Sequence, residues 1–418
     1  ADIALETKPA IDEATAELAA RNDQAARKLP VGRLQAEPAL VVYAWDSDPR
    51  LAWELTLLYH DKLAGSGRWR YWIDALDASI IRVFNDVPHI AAPTANGANA
   101  AVSGGFLTGE AGGTTNLTGW RENTGVYYLY NKVNYWFIYN VAGSGYSDNN
   151  TYAYRNSAAW GTTDRAEMSM AKNFTWTQKY FKNVHGRNSY NNGNAYARAN
   201  VHEGEAYVNA YWDGTDFHFG DGDNVEATAL GVTDIAGHEF THAVTEYTAN
   251  LYYYGESGAL NESFSDIFGT CIEIYSQPNG RGLYPNKQAG YSDWLCGEDA
   301  WLSAKALRDM RNPANTVTVG AGNQQPTRYK GTYWYFGTGD NAGVHQNSSV
   351  QNFFFYLLSE GGSGSNDGIS YNVTGIGLGN AERVAYRALT VYCGANTDYT
   401  AVRGNWVSAA QDLNAAWV

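Results

Sequence analysis

The residues from Ala91 to Ala100 divide this chain into two parts that must fold separately. They are only Ala, Pro, Thr, Asn and Gly, so the stretch has no large side chain to bury. We therefore predict a linker at residues 91–103 and a domain boundary on it. A chain of 418 residues is long enough for two to three domains with cores of their own. Residues 1–90 are expected to form the smaller one.

The hydrophobic pattern differs on the two sides of this linker. Before it, a short helix and several apolar β-type segments predict a small α+β domain. After it, residues 104–235 contain short β-type runs and one long helix near residues 165–184, whereas residues 236–418 are mainly helical. The overall fold class is therefore α+β. In the second half, helices are predicted at 233–249, 259–276, 299–310, 343–360, 379–392 and 398–413.

The charge balance limits the classes of partner. With 29 basic against 43 acidic residues, the net charge of −14 argues against a nucleic-acid-binding protein. No apolar run approaches the ~20 residues that span a bilayer, so we expect a soluble protein without a membrane partner. Charged residues make up only 17% of the chain, which suits a secreted protein. Since Ala1 to Ala20 lack the features of a signal peptide, any export signal is expected to have been removed already.

The motif His238-Glu239-Phe240-Thr241-His242 carries the clearest chemical signal. On a helix, residues four apart project from the same face, so His238 and His242 can grip one metal ion. Glu239 projects beside them, where its carboxylate can take a proton from a metal-bound water. The pattern is typical of zinc peptidases.

A second motif, Gly258-Ala259-Leu260-Asn261-Glu262-Ser263-Phe264-Ser265-Asp266, follows on the next predicted helix. A catalytic zinc ion needs three protein ligands and one open position, and Glu262 can supply the third ligand. Asp266, one turn later, can accept a hydrogen bond from a ligating histidine and so fix its tautomer. The two motifs together predict a site for one catalytic Zn²⁺ ion.

These motifs resemble those of the thermolysin-like neutral zinc metalloproteases. The resemblance extends over nearly everything from Gly104 onward. It includes Tyr180 to His185, Asn209 to Trp212, Leu307 to Met310 and Asp340 to His345. Segments before the linker, such as Pro49 to Leu55 and Gly67 to Ala75, resemble the PepSY-type part of that family's propeptide. The resemblance implies a PepSY-like prodomain at 1–90, a processing region at 91–103, a β-rich lobe at 104–235 and a helical lobe at 236–418, with the zinc helix between the lobes.

The resemblance also implies roles for individual residues. Glu239 is then the general base, His345 and Tyr253 stabilise the oxyanion, and Asp340 orients His345 and favours its charged form. Arg308, Asn209 and the backbone of Ala210 bind an extended peptide, and Leu307 with Ile235 lines a pocket for a large apolar residue after the cut. Of the other histidines, His185 and His202 are expected to be structural, and His60, His89 and His218 to be ordinary surface or packing residues.

Calcium is the second metal that the resemblance implies. The carboxylates that match an interior calcium site, at least one ion in all, are Asp234, Glu273, Asp293 and Glu298. The chain has three cysteines, too few for a disulfide scaffold or a Cys-ligated zinc module. Because Cys271 lies near Glu273 and Cys296 near Glu298, a shared calcium ion would bring the two together, and a bridge between them is a hypothesis.

The predicted function is a secreted, zinc-dependent neutral metalloendopeptidase in precursor form. Its partners would be protein or peptide substrates and its own propeptide, which acts as intramolecular inhibitor and folding aid, and the enzyme is expected to be a monomer. Cleavage is expected between Ile90 and Gly105. One alternative is a metallo-aminopeptidase. Another is a non-catalytic protein of the same fold that is stabilised by zinc and calcium.

Overall fold

The computed structural model describes residues 8–27, 32–34, 37–43, 50–61, 65–85, 97–107, 115–141, 151–276 and 294–417. The chain divides into two compact units, residues 1–92 and 93–418. No helix in the described ranges is both long and apolar enough to cross a membrane.

The first unit is a single helix with an antiparallel sheet. Asp12 caps the helix by accepting a hydrogen bond from the Thr15 backbone N–H at 2.8 Å. Ala16 and Ala20 on one side of the helix pack on Leu55 and Tyr71 of the sheet, and all four are buried. The elements are α1 (Glu13–Ala26), β1 (Arg33–Leu34), β2 (Ala39–Tyr43), β3 (Arg50–Asp61), β4 (Gly65–Asp74) and β5 (Ile80–Asn85). The sheet order is β1-β3-β4-β5, with β2 also on β3.

The second unit begins with a lobe of two sheets around one long helix. A four-stranded sheet has the order β12-β8-β7-β6. A six-stranded sheet has the order β11-β10-β13-β15-β14, with β9 also on β10, so β14 is an edge strand. The strands are β6 (Gly97–Gly104), β7 (Thr115–Glu122), β8 (Tyr127–Tyr128), β9 (Tyr130–Asn131), β10 (Trp136–Asn140), β11 (Thr151–Tyr152), β12 (Tyr154–Arg155), β13 (Ala197–Glu203), β14 (Ala210–Trp212) and β15 (Phe217–Gly220). The helix is α2 (Arg165–His185).

The second lobe is mainly helical, as predicted. Its elements are α3 (Thr233–Glu246), α4 (Gly255–Ser276), β16 (Leu295–Cys296), β17 (Arg308–Asp309), α5 (Thr316–Val319), α6 (Gly339–Asn347), α7 (Ser349–Glu360), β18 (Gly362–Asn366), β19 (Ile369–Val373), α8 (Leu378–Arg387) and α9 (Tyr399–Leu413). A β-rich first part and a helical second part confirm the α+β class.

One of the predictions for this unit is wrong. Residues 299–310 are not a helix, because β17 pairs with β16 through Leu295–Asp309 and Cys296–Arg308. The division between the two units, after residue 92, falls inside the predicted linker at residues 91–103, but that range also includes most of β6, which pairs along its whole length with β7. Glycine is needed at position 97 because a Cβ there would lie 2.5 Å from the indole nitrogen of Trp120.

One aromatic core joins the two lobes of this unit. Phe240 of α3 lies 5.5 Å from Phe181 of α2 and 5.7 Å from Phe217 of β15, measured between ring centroids. All three rings are buried. Because α3 is packed by both lobes, its position is set by the core of the whole unit.

Helices α3 and α4 approach each other through glycine. A Cβ on Gly269 would lie 2.6 Å from the carbonyl oxygen of Asp234, and one on Gly237 would lie 3.1 Å from the Cα of Gly269. Since these neighbours are backbone atoms, they cannot rotate away as a side chain could. The two helices are therefore closer than any pair with larger residues at this contact could be.

We expect Gly269→Ala to destabilise the second unit by about 1–3 kcal/mol, because the added methyl group forces α3 and α4 apart. Gly404→Ala in the exposed part of α9 is the matched control. A Cβ there meets no atom within 4 Å, so the better helix propensity should stabilise the protein by about 0.5–1 kcal/mol. Urea unfolding of both variants measures the difference, and equal stability of the two would contradict this account of the helix contact.

Candidate active site

Helix α3 presents two histidines from consecutive turns of one face. The rings of His238 and His242 lie 4.7 Å apart between centroids, and their Nε2 atoms are 3.0 Å apart. Glu239 is buried beside them, with its carboxylate within 4.8 Å of a ligand atom on each ring. The helical spacing predicted from the sequence therefore places these three groups together.

Helix α4 brings Glu262 to the same point. Its Oε2 lies 3.4 Å from Nε2 of His238, and its Oε1 lies 3.3 Å from Nε2 of His242. Glu262 is fully buried, and within the described part of the chain its Oε2 has no hydrogen-bond partner. Burial alone would raise the pKa of Glu262, but His345, His238 and His242 lower it well below its ordinary value.

The two Nε2 atoms and the Glu262 carboxylate, which faces one ring with each of its oxygens, fit a tetrahedral zinc ion. Zinc–nitrogen and zinc–oxygen bonds of about 2.0–2.1 Å place neighbouring ligand atoms about 3.3 Å apart. The distances among His238, His242 and Glu262 are close to that value. A buried carboxylate oxygen without a hydrogen donor is the further sign that a cation belongs here.

The other ring nitrogen of each histidine is held by a polar side chain of α4. His238 Nδ1 lies 2.9 Å from Oδ1 of Asp266, so His238 is the histidine that this carboxylate holds. His242 Nδ1 lies 2.9 Å from Oδ1 of Asn261 and 3.2 Å from Oγ of Ser265. Sequence reasoning missed these last two residues, although Asn261 and Ser265 are one turn apart on the face that bears Glu262.

Asp266 is the centre of a buried network. Its carboxylate accepts hydrogen bonds from Arg308 Nε at 2.7 Å and Nη2 at 2.5 Å, and from Asn352 Nδ2 at 2.7 Å. Burial would raise the pKa of Asp266, but Arg308 and then His238 lower it to about 2. The carboxylate is therefore charged at neutral pH. Asn352 comes from α7, far away in the chain, and no sequence signal pointed to it.

Tyr253 and His345 lie on the open side of the site. The Tyr253 hydroxyl donates a hydrogen bond to Oε1 of Glu262 and lies 3.3 Å from Nε2 of His345. Nδ1 of His345 lies 2.6 Å from Oδ1 of Asp340. Glu262 raises the pKa of His345, and the hydrogen bond to Asp340 adds to this effect although burial opposes it. The charged imidazolium is therefore favoured.

Asp340 begins an unusual backbone segment. Asp340, Asn341, Ala342 and Gly343 have φ values of 53°, 47°, 65° and 81°, so four consecutive residues are left-handed. Asp, Asn and Gly tolerate this region, whereas Ala342 is strained in it. In this segment the Asp340 carboxylate accepts a hydrogen bond from the backbone N–H of His345 at 3.0 Å and also contacts the imidazole ring of His345.

The predicted substrate-binding residues lie around the same site. Ala210 opens the edge strand β14, and Asn209 precedes it as an exposed residue. Strand β14 is tied to the end of α3 by Trp212, whose indole N–H donates to Oε2 of Glu246 at 2.7 Å. Ile235 and Leu307 are both half-buried and both flank Gly297.

Two of the predicted calcium ligands lie on α3 and α4. Asp234 and Glu273 are buried, and the Asp234 carboxylate accepts the backbone N–H of Gly297, next to Glu298. Burial raises the pKa of Asp234, and a bound cation would favour its ionised form. Asp293 lies outside the described residues.

Cys271 and Cys296 are not joined in this structure, so the hypothesis of a bridge between them gains no support. Cys271 and Cys296 are both buried. Cys296 lies on β16, where its sulfur is 3.9 Å from the hydroxyl of Thr270 on α4.

Comparison with known proteins gives matches over the whole second unit. Residues 105–246 match the family model "Thermolysin metallopeptidase, catalytic domain", and residues 249–417 match "Thermolysin metallopeptidase, alpha-helical domain". A bacillolysin of Bacillus caldolyticus is 35% identical over 98% of this chain and 72% of that protein. A thermolysin of Alicyclobacillus acidocaldarius is 34% identical over the same shares.

A solved structure is also similar. It is the precursor of protealysin, a metalloproteinase from Serratia proteamaculans, with 27% identity, a TM-score of 0.53 and coverage of 68% of this chain and 85% of that one. The similarity to bacillolysin covers 98% of the chain and so includes most of the first unit. The chain therefore belongs to the thermolysin family and is a zinc-dependent, calcium-stabilised metalloendopeptidase in precursor form.

Proposed function

We propose that His238, His242 and Glu262 hold the catalytic zinc ion and that Glu239 is the general base. The observation that carries this proposal is that the two Nε2 atoms lie 3.0 Å apart and each lies 3.3–3.4 Å from one oxygen of Glu262, of which Oε2 has no hydrogen-bond donor in the described part of the chain. When bound, zinc lowers the pKa of a water molecule to about 7 and polarises a substrate carbonyl. The Glu239 carboxylate, one residue after His238, accepts the proton of the attacking water and passes it to the leaving amine.

Tyr253 and His345 act as donors to the oxygen that becomes negative during attack. The Tyr253 hydroxyl and Nε2 of His345 are 3.3 Å apart on the open side of Glu262, so both can reach one substrate oxygen. Burial and then Glu262 raise the pKa of Tyr253, which keeps its proton available for donation. Asp340 holds His345 in orientation and favours its charged form.

The substrate binds as an extended strand along β14. This strand is the edge of its sheet, so its outer backbone groups are available for pairing with a peptide, and Asn209 lies at its start. Arg308 uses two of its nitrogens on Asp266, and the rest of the guanidinium is proposed to bind the substrate carbonyl beyond the cut. Ile235 and Leu307, on either side of Gly297, line a pocket that suits a large apolar side chain.

Residues 1–90 are proposed to be a PepSY-like propeptide that assists folding and inhibits the enzyme until it is cleaved off. The support is the extension of the bacillolysin match over 98% of the chain and the likeness to a precursor of protealysin. The processed enzyme is proposed to be a secreted monomer that acts on proteins or peptides and binds neither nucleic acid nor membranes. The net charge of the whole chain, −14, fits the exclusion of nucleic acid.

We expect Glu239→Gln to lower kcat by about 100-fold to 10,000-fold, because the amide cannot accept the proton of the attacking water. The full-length chain would be produced with each substitution, activated, and assayed on a blocked internal peptide. Zinc content measured by atomic absorption should stay at one ion for Glu239→Gln and fall for Glu262→Gln, which loses a ligand. Full activity of Glu239→Gln would disprove the proposed base.

We expect added Ca²⁺ to raise the thermal stability of the protein, because it would bind the folded protein at the proposed interior calcium site. A ligand that binds only the folded protein at a thousand times its Kd stabilises it by about 4 kcal/mol. Asp234→Asn should remove most of this gain, whereas the exposed Glu205→Gln should keep it. Thermal unfolding with Ca²⁺ or with a calcium-selective chelator is the measurement, and an unchanged Ca²⁺ response in Asp234→Asn would reject this carboxylate as a ligand.

Activation should cut the chain before Gly97. The sequence alone allowed cleavage anywhere from Ile90 to Gly105, but the backbone of β6 is paired with β7 from Gly97 to Gly104, and a protease needs unpaired chain. N-terminal sequencing of the processed enzyme tests this. A mature start inside the described strands of the first unit, such as β4 or β5, would show that residues 1–90 are not a removable propeptide.

A further inference from the structure

His218 lies on β15, the neighbour of the proposed substrate strand β14 in the same sheet. It is opposite Tyr211 of β14 in the antiparallel register, and it is buried. The two rings stack with centroids 4.4 Å apart and planes within 2° of parallel. A histidine in this position touches the side of β14 that faces away from Phe217 and the aromatic core.

Both nitrogens of this ring face carboxylates. Nδ1 lies 3.1 Å from Oε2 of Glu203, and Nε2 lies 3.3 Å from Oδ2 of Asp213. A neutral imidazole has only one N–H, so both contacts are hydrogen bonds only when His218 is charged. Burial would lower the pKa of His218, but Asp213, Glu203 and the nearby Asp216 raise it to about 9. The ring is therefore an imidazolium at neutral pH, and its charge favours stacking on the tyrosine.

The carboxylate partners belong to the strands on either side. Glu203 is the last residue of β13, and Asp213 directly follows β14. Asp213 also shapes the turn into β15, since its Oδ1 accepts the backbone N–H groups of Thr215 and Asp216, each at 2.8 Å. One charged ring thus joins β13, β15 and the end of β14 through two hydrogen bonds and a stacked ring.

The opposite face of β14 is held in a different way. Trp212 packs on Phe217 with ring centroids 4.4 Å apart and donates its indole N–H to Glu246 of α3. That contact fixes the strand relative to the zinc helix. On the other side of the strand, Tyr211 contacts His218 and also Tyr207, whose ring centroid is 6.5 Å away.

We propose that His218 is a positioning residue for the substrate: its charged ring, held by Glu203 and Asp213 and stacked on Tyr211, sets the place of the edge strand that pairs with the peptide. This inference rests on the proposed role of β14 in substrate binding. His218 touches no reacting atom, so it acts on how the peptide binds. Its loss should weaken binding of substrates that pair along β14 and leave the chemical step unchanged.

A second histidine of the same sheet is a matched control. Nδ1 of His202 on β13 lies 2.7 Å from Asp221, and its Nε2 lies 3.4 Å from Glu167, so it is also held between two carboxylates. Strand β15 lies between β13 and the edge strand β14. The φ of His202 is 62°, a value that asparagine tolerates, so His202→Asn is the suitable replacement.

The experiment compares His218→Gln, Glu203→Gln and His202→Asn, each produced as the full-length chain, activated and loaded with zinc. For a peptide long enough to pair along β14, KM should rise about threefold to tenfold in the first two variants, which is the range of one lost hydrogen bond, while kcat stays within about twofold. A blocked dipeptide, too short to pair along the strand, should show little change. His202→Asn should leave KM for both substrates unchanged.

The pH dependence of KM tests the inference in the unsubstituted enzyme, even if a variant folds poorly. KM for the long peptide should rise as the pH passes about 9, where His218 loses its charge, and this rise should be absent in His218→Gln. Asn209→Ala separates the two ideas. If it raises KM while His218→Gln does not, the positioning role is wrong and the substrate strand stands. If Asn209→Ala leaves KM unchanged too, the proposed substrate strand itself is wrong.

Discussion

The close approach of α3 and α4 is the constraint on which the rest of the site depends. His238 and His242 lie on one helix and Glu262 on the other, so the ligand distances of 3.0–3.4 Å depend on the spacing of two backbones. Gly237 and Gly269 allow that spacing, because a side chain at Gly269 would meet the Asp234 carbonyl at 2.6 Å. Helix spacing depends on the side chains at the contact, and glycine gives the shortest. The packing of the two helices therefore determines the distances within the proposed zinc site.

Buried charged groups also hold the residues around the α3–α4 contact in place. A buried carboxylate such as Asp266 destabilises a protein unless charged and hydrogen-bonding partners offset its lost hydration. Even with such partners, replacing a buried ion pair by apolar groups often stabilises a protein. Here Arg308 of β17, Asn352 of α7 and His238 of α3 all converge on it. The network is therefore better explained by geometry than by stability. It fixes the tautomer and the tilt of His238 while it holds Arg308 beside the cleft.

The sequence predicted the parts of the site that depend on short spacing. Residues four apart on one helix share a face whatever surrounds them, so His238 and His242, and likewise Glu262 and Asp266, could be paired from the sequence alone. Contacts that join distant segments could not. Asn352 on Asp266 and His218 on Glu203 depend on how whole elements pack, and His218 looked like an ordinary packing residue.

Contacts between distant segments also explain where the structure departs from the sequence prediction. Residues 299–310 have helix-forming composition, but Arg308 is drawn to Asp266 and its neighbours pair with β16, so tertiary contacts override propensity. The small residues of β6 suggested a linker because they offer nothing to bury. At Gly97 the small size has another reason, because Trp120 of β7 packs against this residue. A run of small residues can therefore belong either to a linker or to a strand that packs closely on its neighbour.

The solvent exposure of each site residue matches the role proposed for it. Glu262 and Asp266 are buried and held by several partners, whereas Tyr253 and the side chain of His345 are 38% and 49% exposed. Metal ligands must keep one geometry, and burial among fixed partners provides it. Donors to a substrate oxygen must instead face the cleft, so their positions have to come from the backbone. The left-handed segment from Asp340 to Gly343 does this for His345, because its strained turn places one carboxylate on both the N–H and the ring of the same residue.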